Sequence, residues 1–151
     1  MPLWRLIAEL YGDLSGQSRV PVYATTGHYH SQNDIAQLGD DVRTSLDLGF
    51  SKVKIKAGGA SLSEDERRID TALRIINEQG SLALDFNGMM SQTEAEIFIK
   101  RIGDRELAWI EEPVGPLDFE ATKAVAHSTD IPIATGENLF SAEDTRNLLL
   151  Y

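Results

Sequence analysis

Cysteine is absent from this 151-residue chain, which excludes a disulfide framework, a thiol nucleophile and a thiolate metal site and leaves the redox compartment open. Basic residues are scarce. Fourteen Lys and Arg stand against 24 Asp and Glu, for a formal net charge of −10. Nucleic acid and anionic membranes are poor partners for such a surface, because the phosphate attraction that dominates their binding turns into repulsion. No apolar run approaches the ~20 residues a membrane span needs. The opening MPLWRLIAELYGD carries acidic residues and no apolar stretch with a small-residue cleavage site, so no signal peptide is read there. A soluble, cytoplasmic protein is the expectation. What remains is 42% hydrophobic, enough for one ordinary core.

Against these absences stands a repeat. Asp85, Glu111 and Glu137 recur at an interval of 26 residues, and each closes a short apolar run: LALD, AWIE and PIATGE. Each interval holds one helix-like stretch, the arithmetic of a strand–helix unit with a carboxylate at the strand end. Ahead of them, at the end of an earlier strand, stand two lysines two residues apart, Lys54 and Lys56.

The remaining elements follow from period and punctuation. Residues 2–11 carry Leu3, Leu6, Ile7 and Leu10 on a helical period and stop at Gly12. Residues 13–19 read as a Gly/Ser/Gln connector. A strand is expected over 19–25 (RVPVYAT), a helix over 34–48 closed by Gly49, and a strand over 51–56 ending at Gly58-Gly59. Ser63 with Glu66 reads as a capping box for a helix to Glu78, and Ser91 with Glu94 as another for a helix to Ile102. Pro116 is expected to open a helix through Val125, IPIAT at 131–135 is a strand, and Ser141 with Asp144 caps a last helix. That helix reaches Tyr151 without a stop signal, as if the chain were cut there. Residues 1–18 thus read as a lead-in helix and connector, and 19–151 as five βα units carrying the acidic site.

Alternation at this spacing argues for parallel strands covered by helices. Five units would suit an open doubly wound sheet by length alone, but the carboxylates argue for curvature. The outer two of three neighbouring strands on a flat sheet lie ~9.6 Å apart, whereas trans oxygens on one Mg²⁺ are ~4.2 Å apart. A barrel aims its inward side chains at one axis and closes that gap. A complete eight-unit barrel takes ~250 residues, so the expectation is a partial (β/α) barrel.

Residues i and i+2 of a strand share a face, which pairs Lys54 with Lys56 and Asp85 with Asn87. Three carboxylates ~4 Å apart would repel by roughly 4 kcal/mol per pair at an effective dielectric of 20. They need a cation, and all-oxygen ligation points to Mg²⁺, with Mn²⁺ as the alternative. Two neighbouring ammonium groups disfavour each other's charge, which is expected to lower a lysine pKa and make one a usable base. The plain reading of each acid taken singly is a solvated polar strand end. Glu112 faces away from Glu111 and reads as a supporting residue. His28 follows the first strand on the side of the site, where a substrate contact competes with simple exposure. His127 complements a helix C-terminus, Trp109 fills the barrel, and Arg67-Arg68 lie on a solvated helix face. A receiver-like Mg²⁺-binding signalling domain phosphorylated on Asp85 is a remote rival, since the acidic pair and the lysine it needs are missing from their strand ends.

The pieces VKIKAGG (53–59), LALDFNG (82–88), WIEEP (109–113) and ATGEN (134–138), in that order and spacing, resemble the enolase superfamily and within it the mandelate racemase/muconate lactonizing enzyme subgroup. The run ATGENLFSAEDTRNLL is most similar to D-tartrate dehydratase-like sugar-acid dehydratases. The resemblance implies a modified (β/α)₇β or (β/α)₈ barrel of which about five units are present, without the lid domain and the last strands. It implies Mg²⁺ ligation by Asp85, Glu111 and Glu137. Lys56 would be the base that removes the proton α to a substrate carboxylate, with Lys54 beside it on that carboxylate and Asn87 touching substrate. The implied activity of the parent is a hydro-lyase acting on a hydroxy acid or sugar acid through a metal-stabilised ene-diolate, in a homo-oligomer. Racemisation, epimerisation and cycloisomerisation are the family's other outcomes. The family's second acid–base, a seventh-strand histidine, has no counterpart here, so these 151 residues alone are expected to be inactive.

Overall fold

A computed structural model describes residues 1–12 and 19–151; of the connector read at 13–19, residues 13–18, and with them the expected division at residue 18, lie outside the described residues. Helix α1 (Leu3–Tyr11) precedes strand β1 (Ala24–Thr26) and helix α2 (Asp34–Asp47). Then come β2 (Lys52–Lys56), α3 (Leu62–Ile76), a 3₁₀ turn at Asn77–Gln79 and β3 (Ser81–Asp85). The chain continues through α4 (Gln92–Ile102), β4 (Leu107–Glu111), α5 (Phe119–His127), β5 (Ile133–Ala134) and α6 (Ala142–Leu150). The two-residue period of the strands turns Val53, Ile55, Leu82, Leu84 and Ile110 outward, where they form one core with Leu38 and Val42 of α2, Ile69, Ala72 and Ile76 of α3, and Phe98, Ile99 and Ile102 of α4. Fully burying each such side chain contributes roughly 1.5–3 kcal/mol.

The strands are all parallel and lie in chain order, β1-β2-β3-β4-β5. That order is a singly wound wall, the pattern of a barrel. A doubly wound receiver-like sheet would place its second strand outside the first. Curvature shows in the contacts. Tyr23, just before β1, meets Trp109 of β4 edge-on, with ring centroids 5.0 Å apart. On a flat sheet these strands would stand ~14 Å apart. The inward side chains therefore converge, as the partial-barrel expectation requires.

Several boundaries differ from the sequence reading, each for a physical reason. Strand β1 is three residues long, Ala24–Thr26, and keeps only two of the expected 19–25, while β5 keeps two of 131–135. Both pair on one side only among the described residues, and Pro21 and Pro132 have no N–H to give a ladder. Helix α3 is capped by Ser61, whose N–H is reached by Glu64 at 3.1 Å, and not by the Ser63–Glu66 pair. Glu66 is instead held by Arg101 of α4 at 2.9 Å. Helix α5 starts at Phe119, because the Asp118 carboxylate accepts the Ala121 N–H at 3.0 Å and sets the cap there. The apolar positions of α1 are exposed, Leu3 by 70% and Leu10 by 67%, and only Ala8 of that helix is buried.

Arg68 corrects the expectation of a solvated basic pair. Arg67 is exposed, but Arg68 is 1% exposed. It lies on the same helical stripe as Asp65, Ile69, Ala72 and Ile76, which is the core face of α3. Its charge is tolerated there because Nη2 donates to the Gly27 carbonyl at 2.5 Å, Nη1 pairs with Asp34, and the guanidinium sits 4.0 Å from the Tyr29 ring centroid. The Tyr29 hydroxyl donates to Asp65 at 2.5 Å and accepts the Gly59 N–H at 2.9 Å, while Asp65 accepts the Gly58 N–H at 2.9 Å. The network ties the loop after β1 to the turn that follows Lys56. Burial works against the charge of Asp34, but hydrogen bonds from Arg68 and the His30 N–H outweigh it and hold that carboxyl below its usual range.

Removing one partner of such a buried pair strands the other. Arg68→Met is expected to lower unfolding stability by about 3 kcal/mol in urea titrations; a loss below ~1 kcal/mol, the worth of a surface pair, would contradict the assignment. The stability that Asp34 contributes is present above the ordinary carboxyl pKa of ~3.9 and is lost as pH falls through its lower folded value. Asp34→Asn should therefore flatten the acid limb of the stability curve below about pH 4, and an unchanged limb would contradict the depressed pKa.

Candidate active site

The carboxyl ends of the central strands carry charge at two levels. Lys56, Asp85 and Glu111 are register partners across β2, β3 and β4. One pleat lower, Lys54, Ala83 and Trp109 are partners in the same way. Ala83 is short, and over it the Lys54 side chain crosses from β2 to β4. Its Nζ donates to Glu111 Oε1 at 2.6 Å and stands 3.4 Å from Asp85 Oδ2. Lys56 Nζ donates to Asp85 Oδ2 at 2.8 Å and to Asn87 Oδ1 at 2.7 Å. The other Asp85 oxygen accepts the Asn87 N–H at 3.1 Å. Asn87 reaches this position through a left-handed backbone, φ 48°, which asparagine adopts more readily than most residues.

Glu137 enters differently. Strand β5 ends at Ala134, the register partner of Glu111, so Glu137 lies in the turn beyond it, after Gly136 with φ 132°. Asn87 Nδ2 lies 3.5 Å from Glu137 Oε1 and joins it to the cluster. The structure thus brings together Lys54, Lys56, Asp85, Asn87, Glu111 and Glu137. His28 is exposed in the loop after β1 and takes no part in the hydrogen bonds of this cluster.

Burial disfavours the Lys54 ammonium, which is only 5% exposed, but the Glu111 hydrogen bond and the charges of Asp85 and Glu111 outweigh it and raise its pKa. Carboxylates, and not the neighbouring lysine, dominate its surroundings, so Lys54 is held charged. The Asp85 carboxyl is also buried, yet Lys56, the Asn87 N–H and Lys54 hold it below its usual range.

Glu112 completes the acidic set. It is 2% exposed, with φ 42°, and both carboxylate oxygens accept from Asn138 Nδ2, at 3.1 and 2.9 Å. Burial pushes its pKa up and the Asn138 hydrogen bond opposes this, while the charges of Glu137, Asp85 and Glu111 push it up further. Four acidic side chains against two ammonium groups leave an excess of two negative charges, in magnitude and donor type suited to one hard divalent cation. Most of their oxygens are committed here to the lysines, Trp109, Asn87 and Asn138, and among the described residues no three acidic or imidazole side chains stand at metal-holding separations. Asn138 and Trp109, whose Nε1–H donates to Glu111 Oε2 at 3.2 Å, are the members that sequence reasoning missed. Both sit inside the quoted motifs, but nothing local marks an amide or an indole as a carboxylate partner.

Residues 37–150 match a family model described as enolase C-terminal domain-like. The chain is 30% identical over 145 residues to L-talarate/galactarate dehydratase of Salmonella typhimurium, covering 95% of this chain and 35% of that protein. Among solved structures, L-talarate dehydratase from Polaromonas sp. JS666, complexed with Mg and L-glucarate, superposes with a TM-score of 0.82 at 29% identity, covering 98% of this chain and 43% of that one. A mandelate racemase/muconate lactonizing enzyme from a marine actinobacterium, in complex with magnesium, gives 0.81 at 28% identity, covering 99% and 40%. The chain spans less than half the length of each of these proteins.

The Glu112–Asn138 pair gives a direct check on the geometry. Asn138→Ala leaves a buried carboxylate without its two hydrogen bonds and is expected to destabilise the fold by about 2 kcal/mol in chemical denaturation. A change within ~0.5 kcal/mol, the range of ordinary surface substitutions, would show that Glu112 finds its partners elsewhere.

Proposed function

The chain belongs to the enolase C-terminal domain-like family, and on that premise we propose that the protein is part of a Mg²⁺-dependent acid-sugar dehydratase. One observation carries the reading. Two lysines on one strand face carboxylates from the next two strands, at the carboxyl ends where barrels of this architecture do their chemistry. The dehydratase relatives support the reaction class. A D-tartrate-like substrate rests on the motif resemblance of residues 134–149 alone.

Asp85, Glu111 and Glu137 are the residues that would hold the cation. Bound there, Mg²⁺ would supply positive charge against the charge that develops on a substrate carboxylate. Lys56 is the proposed base. It ends β2 beside the acidic set, and its amine would take the α-proton once a proton has left its Nζ. Lys54, held charged by its carboxylates, would lend its ammonium to the substrate carboxylate. Asn87, already hydrogen-bonded to Lys56, would orient both the base and the substrate. An α-proton leaves only when the resulting dianion is met by fixed charge, and the electron pair then expels the β-hydroxyl, which departs with a proton as water. The enol left behind becomes a 2-keto acid. The similarity to the mandelate racemase/muconate lactonizing enzyme supports a second outcome of the same first step, return of the proton to the opposite face.

Incubating the full-length parent protein with a library of acid sugars is expected to produce 2-keto acids that disappear on adding EDTA. Turnover indifferent to chelation, or racemised products alone, would overturn the dehydratase reading. Lys56→Ala should abolish exchange of the substrate α-proton with solvent deuterium while divalent-ion affinity stays near wild type. Glu111→Gln should weaken that affinity at least 10-fold, the usual scale for disturbing a metal's ligand environment. Exchange that survives in Lys56→Ala would assign the base to another residue.

A further inference from the structure

The inward face of β4 carries Trp109 two residues before Glu111, and the ring does more than occupy space. Its Nε1–H donates to Glu111 Oε2 at 3.2 Å, while Lys54 Nζ takes Oε1 of the same carboxylate at 2.6 Å. Each oxygen of Glu111 therefore has its own donor. The indole is itself braced. Tyr23 packs edge-on against it at 5.0 Å with an interplanar angle of 68°, the favoured geometry for two aromatic quadrupoles. The same Tyr23 ring lies 5.3 Å from Lys54 Nζ. Behind the pair, the register partner of Trp109 is Ala83, 1% exposed and too short to compete for the space. Together Tyr23, Trp109, Glu111, Ala134, Thr135 and Glu137 line a cavity of about 400 Å³.

We propose that Trp109 is a positioning residue for Glu111: its indole N–H fixes the orientation of the carboxylate and thereby sets the affinity of the acidic cluster for a divalent cation. The inference rests on the metal-dependent reading above and deepens it. A carboxylate on a two-carbon stem has several rotamers, and a donor held rigidly by aromatic packing selects one of them. Barrel filling alone would need the ring and not its N–H, so the two roles part when only the N–H is removed.

The test is Mn²⁺ titration of the intact protein by calorimetry, in three forms: wild type, Trp109→Phe, and protein with benzothienylalanine at position 109, which replaces the indole N–H by sulfur and keeps the shape. Both altered proteins are expected to bind Mn²⁺ about 10-fold more weakly than wild type, with the isostere keeping the wild-type unfolding midpoint to within ~2 °C. An isostere that binds Mn²⁺ as tightly as wild type would overturn the positioning role and leave the metal-dependent reading intact. Wild-type protein that binds no Mn²⁺ would overturn both. Should Trp109→Phe fail to fold, the isostere decides the matter alone.

Discussion

Lys54 places a positive charge where only 5% of its surface reaches water, and the architecture of the site follows from the need to offset that charge. An ammonium buried without partners would lose its proton or unfold its surroundings. Here it is met by Glu111 from two strands away and by Asp85 from the strand between. Such a meeting requires consecutive parallel strands, curvature, and a small residue at Ala83 for the side chain to cross. Charge, curvature and residue size are thus one constraint seen from three sides. The lysine in turn keeps two carboxylates together that would otherwise repel.

Around this centre the two faces of the sheet divide the work. The outward face is aliphatic and packs on helices, which makes the wall stiff. The inward face is polar and aromatic, and its Tyr23–Trp109 contact spans the curve of the wall from β1 to β4. A second polar network outside the barrel wall, built on Arg68, anchors the Gly58-Gly59 turn immediately after Lys56. At Gly59 an added Cβ would come within 2.7 Å of the Tyr29 ring, so the backbone there lies directly against the tyrosine. The lysine that ends β2 is therefore held from both sides, by the ladder to β3 before it and by the clamped turn after it.

Much of this was legible from residue order. The 26-residue recurrence of Asp85, Glu111 and Glu137 marks successive strand–helix units, and the i, i+2 rule puts Lys54 and Lys56 on one face. Gly103 closes α4 where the glycine signal says it should, and Ser91 with Glu94 caps its start. Less legible were features in which two local signals compete. The Ser63–Glu66 pair reads as a capping box along the chain, but Arg101 on another helix, with Arg105 beyond it, takes Glu66 out of contention and leaves the cap to Ser61 and Glu64. Arg68 reads as a surface residue until Asp34 and the Gly27 carbonyl arrive to share its protons.

The sequence by itself determined the order and type of the elements, the strand ends that carry acids, and the family, because backbone periodicity and strand-end spacing are properties of neighbours along the chain. The tertiary structure alone decided which carboxylate each lysine holds, that Lys54 is raised and not lowered in pKa, that Glu137 stands beyond its strand, and that an indole N–H serves Glu111. Those outcomes turn on burial and on partners far apart in sequence; 57 residues separate Lys54 from Glu111. No local rule ranks such partners, since the strength of each depends on how much water the completed fold leaves between them.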